Sequence, residues 1–324
     1  MNLRIKEIAI FICLMLSQKA FSFEIKSDYK SKWAGIEVIG SQSLPAKKIR
    51  ELLPIRIGDT FIAADAKHYK NLCIDIIRKN TAFDETTCSI LWYGDETVFL
   101  IVDLLDKNSI NVFRKIPKKK APVSKIPNEL NLLYEKWNSH ASTLMSSGNF
   151  PIENFDNDFR DFEDPILHGF ALKLRAMATK YNNNLLDIIH YSEDNIERQK
   201  AADLLSWGRV VDNIHFIIEW NLLNDPDITV RNNIARSFLH FVHRANDQIL
   251  LKNLIKGYCA QAKLPTHLDR NKALLSIKEI LEAHPKLISA ISFECKSNIT
   301  YLSEASIVEN VKDPAKDILA ILTK

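Results

Sequence analysis

Asn224 to Val242, NDPDITVRNNIARSFLHFV, leaves this chain few choices of fold. Pro226 sits between Asp225 and Asp227. A proline cannot continue a helix, and an aspartate carboxylate accepts the free N–H groups of a first turn, so the triplet ends one helix and caps the next. From Ile228 the apolar residues Val230, Ile234, Ala235, Phe238, Leu239 and Val242 recur at three- and four-residue spacing. That is one helical face. Arg231, one turn in, is placed to reach back to Asp225 or Asp227, and small Ala235 admits a close neighbouring helix.

One such unit cannot bury its own apolar face, so neighbours are expected. Upstream, SEDNIERQKAADLLSWG sets Asp194, Arg198, Ala201, Ala202 and Leu205 in the same order, with Arg198 33 residues before Arg231. Downstream, PTHLDRNKALLSIKEIL gives a looser copy through Asp269, Arg270, Ala273, Leu274 and Ile277. EDPILHGFALKLRAMATKY from Glu163 and DPAKDILAIL from Asp313 read as degenerate end copies. The pattern D-P-D-x-x-V-R-x-x-I-A-x-x-L resembles the HEAT family of paired-helix repeats. The resemblance implies an all-α stack over 128–324. Asp194, Arg198, Asp225, Asp227, Arg231 and Arg270 are then structural residues between repeats, and function lies in a binding surface. An ordinary helical bundle is the alternative.

The first residues point to export. Arg4 and Lys6 precede the apolar run Ile8 to Leu16, and Ala20-Phe21-Ser22 fits a small-x-small cleavage site. A signal peptide over 1–22, cut after Ser22, is expected, and the alternative is an uncleaved amphipathic or membrane helix. No later stretch is apolar enough to cross a bilayer, so no transmembrane segment is expected after cleavage. The formal net charge of +3 then falls near +1, which gives no global signal for nucleic acid. Four cysteines follow the leader: Cys73, Cys88, Cys259 and Cys295. Pairing each with its neighbour keeps Cys73–Cys88 and Cys259–Cys295 within separate halves, and closing about 15 residues is worth about 3 kcal/mol in the chain-entropy model. Structural bridges are expected, with free buried thiols as the alternative.

Between the leader and residue 106 the pattern is strand, helix, helix, strand, strand. Trp33–Gly40 alternates as a strand, PAKKIRELL is a short helix, and Ile57 to Phe61 is a turn into a helix over 63–79. Thr86–Tyr93 and Val98–Leu105 form a hairpin around Gly94-Asp95. The run I-E-V-I-G at 36–40, the L-x-I-x-x-G-D-x-F run from Leu53 and the hairpin resemble a POTRA domain over 23–106, an α+β module of exported proteins. The resemblance implies strand addition at a free sheet edge and a Cys73–Cys88 bridge from helix to sheet; the alternatives are another small α+β domain, and a sheet that packs on the helical half in a purely structural role. No barrel follows, so barrel assembly is not implied.

Residues 107–127 hold three prolines and seven Lys/Arg, with Arg114, Lys115, Lys118, Lys119 and Lys120 forming a basic run. The composition reads as an extended, solvated linker, with contact to anionic lipid or an acidic partner as the alternative. After a helix over 128–145 comes NFPIENFDNDFRDFEDP. Its Asp156, Asp158, Asp161 and Asp164 lack the glycine and terminal glutamate of a calcium loop. Its phenylalanines suggest a loop pinned to the helices.

No nucleophile elbow, phosphate loop or metal motif is present in the sequence. His240 and His243 have ligand spacing but no third donor. Trp207, Phe216 and Trp220 have the spacing of core residues. No catalytic, cofactor or metal residue is assigned. The expected protein is a non-enzymatic periplasmic or secreted adaptor for envelope or exported proteins, binding no nucleic acid. Its alternatives are an enzyme or small-ligand binder using the groove of the helical stack, and a secreted effector acting on a foreign protein.

Overall fold

The computed structural model describes residues 29–40, 44–83, 85–93, 96–107, 112–146, 149, 151–154, 159–239 and 241–323. The expected leader, the Gly94-Asp95 turn, Phe150, Phe155, Asp156, Asp158, His240 and the His243 side chain lie outside these residues.

The fold is mixed α+β. Strands β1 (Lys30–Ile39), β2 (Thr60–Ile62), β3 (Glu85–Trp92) and β4 (Thr97–Leu105) form one sheet in the order β2-β1-β4-β3. β1 and β4 run parallel, while β2 and β3 are antiparallel to their neighbours. Alternation splits the strands into two faces. Ile36, Val38, Cys88, Ile90, Val98, Leu100, Val102 and Leu104 pack with Ile49 of helix α1 (Ala46–Leu52) and with Cys73 and Ile77 of α2 (Ala66–Asn80). β2 was expected as a turn. A three-residue run is too short to display a period of two, and its pairing depends on Phe61, fully buried edge-on to Trp33 at 4.9 Å.

The opposite sheet face turns to the helices of the C-terminal half. There Ile39, Leu91 and Ile101 share one core with the helical residues. These helices are α3 (Asn128–Ser146), α4 (Pro165–Lys180), α5 (Asn182–Tyr191), α6 (Asn195–Leu205), α7 (Ile214–Glu219), α8 (Ile228–Leu239), α9 (Gln248–Gln261), α10 (His267–Ala283), α11 (Phe293–Ala305) and α12 (Glu309–Ile321). A small hairpin, β5 (Glu153–Asn154) and β6 (Asp161–Phe162), joins α3 to α4. Helices α6, α8, α10 and α12 stack one on the next as a continuous row. Asp194, Asp227 and Thr266 cap the first three of these by accepting N–H groups of the first turn, each cap being worth about 1 kcal/mol.

Both expected disulfides are present, Cys73–Cys88 tying α2 to β3 and Cys259–Cys295 tying α9 to α11. They fit a compartment that permits oxidation. Among the described residues no helix is long and apolar enough to cross a membrane.

Candidate functional site

Three arginines set the geometry of the helical row. Arg198 donates from Nη1 to the carbonyls of Ser192 (2.9 Å) and Glu193 (3.3 Å), at the entry to its own helix. Arg231 does the same to Asp225 (2.7 Å) and Pro226 (3.2 Å), and Arg270 to Pro265 (2.5 Å). Each guanidinium also reaches forward. Arg198 Nη2 donates to Asp225 (3.1 Å), and Arg231 holds Asp269 with Nε and Nη2, both at 2.8 Å. All five side chains are buried and each charge meets its opposite, while Arg198 Nε and Arg270 Nε are left without an acceptor. Arg231 therefore pairs with Asp269 of the next helix rather than with the Asp225 or Asp227 carboxylate. It takes Asp225 through its main chain only. Asp227 is left to cap α8 and to accept from Asn195 and Gln199 of the helix before.

Arg270 takes its carboxylates from outside the row. It turns to the sheet, where Nη2 donates to Asp103 of β4 at 3.2 Å and lies 3.8 Å from Glu37 of β1. The two sheet carboxylates also cap the row. Asp103 accepts from His267 N at the start of α10 (3.0 Å), and Glu37 from Ser306 Oγ, Ile307 N and Val308 N before α12 (2.7, 3.0 and 3.2 Å). The buried His267 ring stands beside them, Nδ1 3.9 Å from Glu37 Oε1. Burial raises the Glu37 carboxyl, but His267, Arg270 and Ser306 outweigh it and leave it below the ordinary glutamate value. At Asp103 burial outweighs Arg270 and His267, and the carboxyl stands above the ordinary aspartate value. Two glycines bring the layers this close. A Cβ on Gly35 would stand 2.6 Å from Ile307 Cδ1, and one on Gly40, at φ +112°, 3.0 Å from Pro265 Cα.

The basic segment after β4 differs from the expected solvated linker at Arg114. That side chain is buried, donating to Asp225 Oδ2 from Nε (3.0 Å) and Nη2 (2.5 Å) and to the Ile189 carbonyl (2.7 Å). Asp225 thus holds Arg114 and Arg198 together. Phe113 packs with Leu105 and Leu264, and its ring faces the Arg231 guanidinium at 4.7 Å. Composition misled here because a buried carboxylate 111 residues away outweighs the local polarity. Lys115, Lys118 and Lys120 remain exposed as expected, and Lys119 pairs with Asp187.

The expected groove is not open along α8. Its polar residues Thr229, Asn232, Asn233 and Ser237 are buried, and Glu153 of β5 takes Arg236 and Arg160. The same cluster encloses Trp137, Phe162 and Trp207, all within 6 Å of the Arg160 guanidinium. Asp161 is held by His168, and Asp164 caps α4. Trp207 is core as expected, whereas Phe216 and Trp220 are half-exposed.

Among the described residues, β3 is the longer of the two outermost strands of the sheet. β3 has β4 on one side and, among the described residues, no strand on the other. Glu85, Thr87 and Ser89 are exposed along it. The opposite edge is covered: β2 takes Lys30–Lys32, Gly58 N donates to Trp33 O (2.8 Å), and Arg50 Nε to Ile36 O (2.9 Å).

The sequence pattern missed Glu37, Asp103, Arg114 and His267. The one available signal was a lone carboxylate inside an otherwise apolar strand, as in I-E-V-I and L-I-V-D-L-L. Compared with protein-family models, with curated proteins and with solved structures, this chain finds no match in any of the three.

Proposed function

We propose that the chain is a non-enzymatic adaptor of the cell envelope, exported to the periplasm or beyond, that binds another exported or membrane protein by strand addition. The observation that carries this reading is the eight-residue strand β3, which among the described residues has no strand on its outer side, in a sheet whose two faces are packed. An unpaired edge of this length is normally blunted, so a protein that keeps one has a use for it. The parallel β1–β4 pair with antiparallel β3 supports the POTRA-like reading of the sheet unit. The arginines that recur at helix entries support the HEAT-like reading of the row. In this reading the helical row is the frame that holds the edge, and its buried inner helices are not the binding surface.

The test uses the chain from residue 23 as bait on solubilised envelope, beside a Thr87→Lys/Ser89→Lys variant that places charge on the edge. Specific capture by the parent and its loss in the variant is the expected outcome. Equal capture by both removes the edge from the proposal.

A further inference from the structure

The segment that follows β4 crosses a row of rings, and the two together form a surface of one kind. Tyr191, His190, Trp220, Phe216 and His215 stand in sequence, with centroids 4.3, 4.1, 4.6 and 3.9 Å apart. All five are at least partly exposed. At the Tyr191 end, Lys119 Nζ lies 5.3 Å over the ring and pairs with Asp187 Oδ1, while Ser124 N donates to Asp187 Oδ2 at 2.8 Å. One carboxylate therefore closes the loop 119–124 at both ends. Arg114 is likewise fixed, by the His190 and Ile189 carbonyls and Asp225. With Arg114 and Lys119 neutralised, Lys115, Lys118, Lys120 and Lys125 are left exposed, and among the described residues none has a carboxylate partner. Val112, 46% exposed, begins the same strip. Glu219, near enough to act on His190, is one opposing charge against these four.

We propose that this strip docks the protein on a bilayer surface rich in anionic lipid. The rings decide against a stacking ligand. His190 and Trp220 lie 22° from parallel and Phe216 is tilted 35° on Trp220, so each of these rings already has a ring neighbour on at least one side. A nucleic-acid base or a sugar needs a free face. A headgroup layer needs half-buried indole and phenol rings beside lysines with long apolar stems, and that is what the strip presents. Asp187 ties the segment at Lys119 and at Ser124 N, which holds the backbone that carries Lys118 and Lys120 against the helices.

The experiment is vesicle co-sedimentation of the chain from residue 23, which contains every described element and lacks the apolar leader. Vesicles are phosphatidylcholine alone or with half the lipid replaced by phosphatidylglycerol. Binding is expected only to the anionic vesicles, and is expected to be lost as salt rises from about 0.1 to about 1 M. A Lys115→Gln/Lys118→Gln/Lys120→Gln/Lys125→Gln variant should bind several hundredfold more weakly, on the order of 500-fold, since each lysine near an anionic surface counts for about fivefold. A control variant carries glutamine at exposed Lys47, Lys48, Lys67 and Lys79, and it should bind as the parent does. Equal loss in both variants, equal binding to both vesicles, or binding to soluble polyglutamate but not to vesicles each overturns the proposal. The lysine variant leaves β3 unchanged and the Thr87→Lys/Ser89→Lys variant leaves these lysines unchanged, so failure here and failure of the edge test are separate results.

Discussion

Arg231 and Arg270 hold the same place in successive helices of one row, yet they are satisfied unequally. Arg231 meets a carboxylate of the next helix in a fork of two 2.8 Å bonds, with two carbonyls below and the Phe113 ring above. Arg270 meets carboxylates of the sheet through one bond of 3.2 Å and one contact of 3.8 Å, and its buried Nε has no acceptor. At Arg270 the pairing leaves the row, although α12 continues it, and the sheet supplies the two carboxylates. The difference teaches that the sheet stands in for a further repeat, with looser geometry.

The largest effect should come from Arg231→Ala, which leaves Asp269 buried without its guanidinium. A loss of about 3–5 kcal/mol in urea unfolding is expected. Arg270→Ala should cost less, about 2–3 kcal/mol, because Asp103 already sits above its ordinary value and takes up a proton when the arginine is gone. Equal losses would mean that the unequal hydrogen bonding of the two sites carries no energetic weight.

Removing either disulfide separates the two regions. Cys259→Ser/Cys295→Ser opens a loop of 36 residues and Cys73→Ser/Cys88→Ser one of 15. Each should cost about 2–5 kcal/mol, the longer loop by roughly 0.8 kcal/mol more. The reverse order would point to residual structure in the unfolded helical half.

Acid sharpens the contrast at the junction itself. The folded Glu37 carboxyl is depressed, so its contribution is present above the ordinary glutamate value and is lost as pH falls below about 4.3. The stability advantage over Glu37→Gln should shrink in that range. Asp103 is raised, so the sign reverses, and the parent should gain on Asp103→Asn as pH falls toward the ordinary aspartate value. Parallel pH profiles for the two variants would refute the assignment. The smallest effect, about 0–1 kcal/mol, is expected for Asp187→Asn, whose partner Lys119 is partly solvated.

The helices of the row were legible because their apolar residues repeat at helical spacing and their caps are local. Asp194 and Asp227 lie within three residues of the N–H groups they accept. The cysteine pairing was legible because each partner is nearby in the chain. What failed was whatever depends on distant partners. The polar residues Thr229, Asn232 and Asn233 look solvent-facing in the sequence, but neighbouring helices cover them. Arg114 looks like one more linker charge until Asp225 is placed beside it. The three residues of β2 carry no period of their own, and β1 defines them by pairing.

Glu37 takes its capping partners from residues 306 to 308, as many as 271 positions further along the chain. A polypeptide emerges from the ribosome beginning with its first residues, so β1 exists long before these partners do. The sheet unit can close its own core and its own disulfide early, but one face must wait with a bare carboxylate until nearly the last helix arrives. Completion therefore waits for residues 306 to 308, and a product truncated before residue 306 leaves that face uncovered for quality-control proteases to find.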